Sequence, residues 1–198
     1  GGRGTGGARR WAGDAAEHMA RQGWDGAAIG LTVSYSRETG PLGTGGAVKL
    51  AEPFLSDPAL ILNGDSYVKW NLAPMLALTA GRDADLVMAL QSVPDVARYG
   101  NVIMADDGRI TQFAEKGTAT GAGLINAGVY LLRKEIVSRL PNDKPISLER
   151  EVFPGLLSPR RYGVVSAGPF TDRGLPATPR PRPSFPASHR PTTRRPPR

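Results

Sequence analysis

The sequence predicts an α/β domain of three layers, with a mostly parallel central sheet and an antiparallel hairpin inserted into it. Three observations lead there. From residue 30 onward short apolar runs alternate with segments of helical spacing, turns rich in Gly and Asn separate them, and one Asp-Gly turn joins two short strands directly.

Each element has its own signal. Residues 31–35 alternate apolar Leu31, Val33 and Tyr35 with polar Thr32 and Ser34, the pattern of a half-buried strand. Pro41, Leu42, Gly43, Thr44, Gly45 and Gly46 then read as a glycine-rich loop. It leads into a helix over 47–55, where Ala47, Val48, Leu50, Ala51 and Phe54 recur at helical spacing. Residues 59–62 form a continuous apolar run ending in Asn63-Gly64-Asp65, as a fully buried strand would, so Asp65 stands at a strand's carboxyl end. A helix over 72–80 follows Asn71, and a second buried strand covers 85–93. The strands 100–104 and 109–114 flank Ala105-Asp106-Asp107-Gly108, whose last pair suits a hairpin turn. A strand over 126–132 runs into a helix over 134–140. The next helix, 147–157, takes Ser147 as its N-cap, but Arg150 sits where a capping box has an acid, so half the box is missing. A strand over 162–166 closes the series, and no internal repeat is visible.

Composition narrows the function. The 198 residues suffice for one domain with a tail, and 25 Gly with 18 Pro exceed ordinary usage, so part of the chain is not ordinary domain. Zero Cys excludes a disulfide framework, a thiolate zinc site and a cysteine nucleophile. The apolar runs fall short of the ~20 residues that span a bilayer, and no signal-peptide core follows Gly1. The default expectation is a soluble, cytoplasmic protein without a membrane partner.

The net charge of +7 would raise nucleic acid as a partner, but its location argues otherwise. Six arginines and no acid lie from Ala177 onward, leaving 19 basic against 18 acidic residues in the rest. From Pro176 onward the chain holds one large apolar side chain, Phe185, and residues 175–198 are expected to be disordered. Without interleaved aromatics to stack bases they do not read as a nucleic-acid arm. Out-of-frame translation of GC-rich DNA yields the same Pro, Arg, Ala, Ser and Thr mixture. On that hypothesis another frame after Asp172 restores an apolar-patterned continuation, and its absence rejects the idea.

Several constellations carry chemistry, each beside a plainer reading. Asp65 at a strand's carboxyl end can hold Mg²⁺ against phosphates, or Asn63-Gly64-Asp65 is merely a turn. Gly43-Thr44-Gly45-Gly46 before a helix has the form of a nucleotide cradle, or of a tight connection. Glu115-Lys116 offers a hydroxyl acceptor beside a phosphate donor, or an exposed ion pair. Asp83-Ala84-Asp85 has the letters of a metal motif but begins a strand instead of ending one. His18 and His189 have no ligand-spaced partner.

In order, the runs Pro41 to Ala47, Leu62-Asn63-Gly64-Asp65, Arg98-Tyr99-Gly100-Asn101-Val102, Phe113-Ala114-Glu115-Lys116-Gly117, Ile125-Asn126-Ala127-Gly128-Val129-Tyr130 and Ser147-Leu148-Glu149 closely resemble the sugar-phosphate nucleotidyltransferases. Within them the chain is most similar to the guanylyltransferases for mannose 1-phosphate and D-glycero-D-manno-heptose 1-phosphate. The resemblance covers 30–174 and implies a Rossmann-like fold and a Mg²⁺-dependent transfer of a nucleoside monophosphate, GMP foremost, from an NTP to a sugar 1-phosphate. It implies that Leu42, Gly43, Thr44, Gly45 and Gly46 bind the nucleotide, that Gly100, Asn126 and Gly128 border the sugar, and that Glu115 accepts its hydroxyls. It further implies that Lys116 holds the sugar phosphate and that Asp65 and Asp172 hold the metal, with Asp65 and Lys116 central to catalysis.

The family's opening loop is matched only by Gly1-Gly2-Arg3-Gly4-Thr5. Gly6-Gly7 stands where the family has Arg-Leu, and no Pro-Lys pair follows. The expectation is an N-terminally incomplete domain with weak or no turnover. The alternative is a non-catalytic nucleotide-sugar-binding or regulatory relative, and self-association is left open.

Overall fold

The computed structural model describes residues 30–114, 117–156, 158–168 and 170–172, the last three by their backbone. The segments 1–29 and 175–198, the latter including the expected disordered tail, lie outside the described residues. In chain order come α1 (Gly43–Leu50), a 3₁₀ turn (Glu52–Phe54), β1 (Ala59–Leu62), β2 (Ser66–Val68), α2 (Leu72–Gly81) and β3 (Leu86–Val93). The hairpin β4 (Asn101–Met104) and β5 (Ile110–Ala114), β6 (Gly123–Leu132) and α3 (Lys134–Ser138) follow. A π turn (Leu148–Val152) then runs into the single turn α4 (Phe153–Gly155), ahead of β7 (Arg161–Ser166) and β8 (Phe170–Asp172).

Side-chain alternation along β3 creates the layers. Leu86, Met88 and Leu90 face one side with Val102, Ile110, Tyr130 and Leu132, and pack there on Ile136, Val137, Leu148 and Phe153. Val87 and Ala89 face the other, with Ala127, Val129 and Leu131, against Met75 of α2. Both faces of the sheet are therefore covered, and Leu86 to Leu90 of β3 run apolar without interruption because neither face meets water there.

The main sheet has the order β5-β4-β6-β3-β7, and β1 pairs with β6 on the edge it also offers to β4. The α/β class and the inserted hairpin stand as expected, but the sheet is mixed where a mostly parallel one was expected. Among the described residues only β3 and β7 pair in parallel. β1, β3 and β7 share a direction, yet β6 is inserted between β1 and β3 and runs against both. β6 also bulges. Met88 pairs with Tyr130 but Leu90 pairs with Asn126, so the chain swells at Ala127 and Gly128, where Gly128 takes φ +77°. At the far edges Arg109 pairs with Tyr162 and the Gly163 N–H donates to Gly108 O at 2.9 Å, which ties the hairpin turn to β7.

Four local expectations are corrected. The strand over 31–35 does not form: residues 31–38 carry no regular structure, and Leu31 stands 60% exposed. Alternation alone supplies no ladder, and no described strand lies in register with this segment. The strand at 59–62 is not fully buried, since β6 covers one edge and Leu62 is 55% exposed. The helix expected at 47–55 begins at Gly43 and ends at Leu50, so the glycines form its first turns instead of a loop ahead of it. The helix at 147–157 is instead a π turn followed by α4. Ser147 caps it as expected, accepting from the Arg150 N–H at 3.2 Å. Glu151 supplies the missing half of the box, accepting from the Ser147 N–H at 2.8 Å, because the wider π turn brings the next residue round to where position 150 would stand. Beyond these, the strand over 162–166 does not close the series: β8 follows it and pairs with β2, a short ladder whose partners lie too far apart in the chain for a local signal. The other expected elements agree to within a few residues, including the Asn71 side chain that caps α2 by accepting from the Ala73 N–H at 3.0 Å.

Candidate functional site

Four segments meet beside the carboxyl end of β1: the turn after that strand, the bulge of β6, the start of α1 and the residues leading into the π turn. The first contact is backbone to backbone, the Asn63 N–H donating to Gly128 O at 2.8 Å. A Cβ at position 128 would lie 3.0 Å from Asn63 Cβ and 3.2 Å from Ser66 Cβ, so glycine lets the turn holding Asp65 sit against β6. The start of α1 is held in the same way. Gly45 and Gly46 donate their N–H groups to Ile146 O at 2.8 and 3.4 Å, and the Ile146 N–H donates to Leu42 O at 2.9 Å. A Cβ at Gly43 would stand 2.6 Å from Ile146 O.

These segments are then tied through one carboxylate. Glu149 Oε2 accepts from Thr44 Oγ1 at 2.7 Å and from Ser147 Oγ at 3.1 Å, while Oε1 accepts from the Tyr130 hydroxyl at 3.1 Å and Asn63 Nδ2 at 3.4 Å. Burial by itself pushes the Glu149 carboxyl up, but hydrogen bonds from Thr44, its own backbone, Ser147 and Asn63 outweigh this and hold it below the usual carboxylate range. Burial, reinforced by the Glu149 charge, pushes the Tyr130 phenol up, so it remains a proton donor. Asn126 Nδ2 donates to that hydroxyl at 2.7 Å, and Asn126 Oδ1 accepts the Gly128 N–H at 2.9 Å.

Of the residues singled out in the sequence, the structure brings together Leu42, Gly43, Thr44, Gly45 and Gly46 with Asn126 and Gly128 through these bonds. Asp65 is exposed on the turn beside them, with Ser66 Oγ 3.4 Å from its Oδ1. Gly100 immediately precedes Asn101, which pairs with Ile125, the chain neighbour of Asn126. Asp172 belongs to β8, which pairs with β2 so that residue 172 stands opposite Ser66, one residue from Asp65. Glu115 and Lys116 lie outside the described residues. Asn63, Tyr130 and Glu149 lie in the quoted motifs, but neither their residue type nor their spacing signals a role. Their bonds span 67 and 86 residues from Asn63, and 105 from Glu149 to Thr44, distances at which local spacing carries no signal.

Other candidates lie elsewhere. Asp83 and Asp85 stand at the start of β3 and are bound by Arg160, which donates to Asp85 at 2.7 and 3.1 Å and pairs with Asp83. A cavity of about 360 Å³ lined by Trp70, Met75, Ala89 and Val164 contains none of the site residues. Among the described residues no three His, Asp or Glu side chains gather as a metal cluster, and no helix is long and apolar enough to cross a membrane.

Comparison with known proteins adds the following. A sequence profile described as nucleotidyl transferase matches residues 13–157. The mannose-1-phosphate guanylyltransferase of Mycobacterium tuberculosis is 36% identical over 156 residues, 77% of this chain and 44% of that protein. The D-glycero-alpha-D-manno-heptose 1-phosphate guanylyltransferase of Aneurinibacillus thermoaerophilus is 36% identical over 149 residues, 74% of this chain and 64% of that protein. The chain thus spans about half the length of these relatives. Among solved structures, HddC from Yersinia pseudotuberculosis superposes with a TM-score of 0.69 at 30% identity, covering 81% of this chain and 70% of that one. A second crystal structure of HddC, complexed with GMP-PN, gives a TM-score of 0.68.

Proposed function

The chain belongs to the nucleotidyl transferase family, and from that premise we propose that it transfers GMP from GTP to a sugar 1-phosphate of the mannose or manno-heptose type, releasing pyrophosphate. The observation that carries this reading is the seating of the Asp65 turn on Gly128, with residue 172 opposite Ser66 and the start of α1 tied in through Glu149. The names of the two relatives and the GMP-PN complex support guanine as the base. A cytoplasmic location goes with the reading, since nucleoside triphosphates are held there.

Chemically, an oxygen of the sugar phosphate bonds to the α-phosphorus as the bond from that phosphorus to the bridging β-phosphate oxygen breaks. The electron pair departs with pyrophosphate. No protein nucleophile takes part, so the chain's share is alignment and charge stabilisation. Asp65 with Asp172 would hold Mg²⁺, a hard ion that takes one or two carboxylates and keeps the rest of its shell for water and phosphate. When bound it neutralises the crowded phosphates of both reactants. Leu42, Gly43, Thr44, Gly45 and Gly46 line the base side. Because the Gly45 and Gly46 N–H groups already serve Ile146, direct contact there falls to Gly43 and Thr44. Gly100, Asn126 and Gly128 border the sugar, Glu115 accepts from its hydroxyls and Lys116 holds its phosphate.

The purified chain, given GTP, mannose 1-phosphate and Mg²⁺, is expected to release pyrophosphate and form GDP-mannose slowly, because Gly6-Gly7 stands where the family's opening loop has Arg-Leu, and Asp65→Asn to lower kcat by about 10²-fold or more. Folded protein that forms no GDP-sugar with either sugar phosphate refutes the activity. Calorimetric binding of GDP-mannose without pyrophosphate release would instead favour a binding relative that does not catalyse.

A further inference from the structure

The directions of the hydrogen bonds around Glu149 are forced by what each group can give. A carboxylate only accepts. The Tyr130 hydroxyl has one proton, given to Glu149 Oε1, so toward Asn126 and Asn63 it can only accept, at 2.7 and 3.5 Å. Asn126 Nδ2 must therefore face Tyr130. The Gly128 N–H needs an acceptor and finds it in Asn126 Oδ1 at 2.9 Å, so both ends of that amide are set and one Nδ2 hydrogen remains. On the other oxygen the same logic holds for Thr44. Its hydroxyl accepts the Leu148 N–H at 2.9 Å and gives its proton to Glu149 Oε2.

We propose that Glu149 is a positioning residue for both halves of the site: through Tyr130 it dictates which hydrogen the Asn126 amide presents to the sugar, and through Thr44 it holds the start of α1 at the nucleotide. What each half binds rests on the proposed function, whereas the polarity of the chain rests on geometry alone. The two arms separate cleanly by substitution. Tyr130→Phe removes the sugar arm, Thr44→Val removes the nucleotide arm, and Glu149→Gln brings donors of its own and disturbs both.

The test measures binding of GTP and of mannose 1-phosphate by calorimetry in Mg²⁺, and follows the Asn126 side-chain amide resonance by NMR without ligand. Tyr130→Phe is expected to weaken mannose 1-phosphate about tenfold, as loss of one charge-linked hydrogen bond does, with GTP changed by less than about twofold. Thr44→Val is expected to do the reverse, and Glu149→Gln to weaken both. Combining Tyr130→Phe with Glu149→Gln should cost the sugar no more than Glu149→Gln alone, since one path is lost once. The Asn126 resonance should move in Tyr130→Phe and Glu149→Gln and stay in Thr44→Val. Equal losses for both ligands in the two single-arm variants, which a general structural defect would produce, overturn the proposal. A wild-type chain that binds neither probe refutes the functional reading instead. In that case the ligand-free resonance still decides the polarity, and an Asn126 amide unmoved in Tyr130→Phe overturns it.

Discussion

Gly45→Ala sets two known effects against each other. In a helix, Ala is ordinarily better than Gly by about 1 kcal/mol, because glycine loses more backbone freedom on folding. At position 45 the new Cβ would lie 2.9 Å from Ile146 Cγ2 and 3.1 Å from Ile146 O. The side-chain methyl can turn away, but the carbonyl cannot, since it accepts from both Gly45 and Gly46. Overpacking of this sort costs about 1–3 kcal/mol, and loosening the two bonds adds to it. The expected net is a loss of about 1–2 kcal/mol, a fall in Tm of roughly 3–8 °C for a domain of this size. Gly81→Ala in α2 is the control, for nothing lies within 4 Å of its Cβ and its φ is not positive. It should gain a few tenths to about 1 kcal/mol. Urea unfolding followed by circular dichroism reads both. A Gly45→Ala protein as stable as wild type would show that the Ile146 segment yields, and would remove the packing reason for glycine at that place.

Further outcomes follow from the same geometry. Phe153→Ala, at a fully buried ring 4.8 Å from that of Tyr130, should cost about 3–5 kcal/mol by urea unfolding. The Glu149 carboxyl is held below its ordinary value of 4.5, so it stabilises the fold above that pH and loses the contribution as pH falls through the lower folded value. Acid unfolding of wild type should steepen in that window, and Glu149→Gln should flatten it. Asp85→Ala removes the acceptor that Ser158 and Arg160 share at the start of β3, leaving Arg160 with Asp83, and should cost roughly 1–3 kcal/mol, discounted for the exposure of Arg160. Ligand binding measured by calorimetry should be unchanged in that variant.

Much of the fold is legible residue by residue. β3 reads as a strand because five successive apolar side chains serve two packed faces, and α2 because Asn71 caps a helical repeat. The hairpin turn follows from Asp107-Gly108, where Gly108 takes φ +84° and its N–H donates to Ala105 O at 2.9 Å. The failures are as local as the successes. Residues 31–35 have a strand's alternation without a described neighbour to complete it, and the position of Glu151 makes sense only once the turn is known to be π rather than α.

For the site the division is similar. Gly-rich segment, Asn63-Gly64-Asp65, Asn126 and Gly128 are visible as ordered motifs, and the family follows from their order. Their meeting does not. Periodicity and turn chemistry report interactions within a few residues, and so they determine which strands, turns and caps this chain can form. The insertion of β6 between β1 and β3, and a carboxylate that gathers Thr44, Asn63 and Tyr130, depend on contacts whose partners lie far apart along the chain. Only packing decides those, because a hydrogen bond across 105 residues leaves no trace in the spacing of its neighbours.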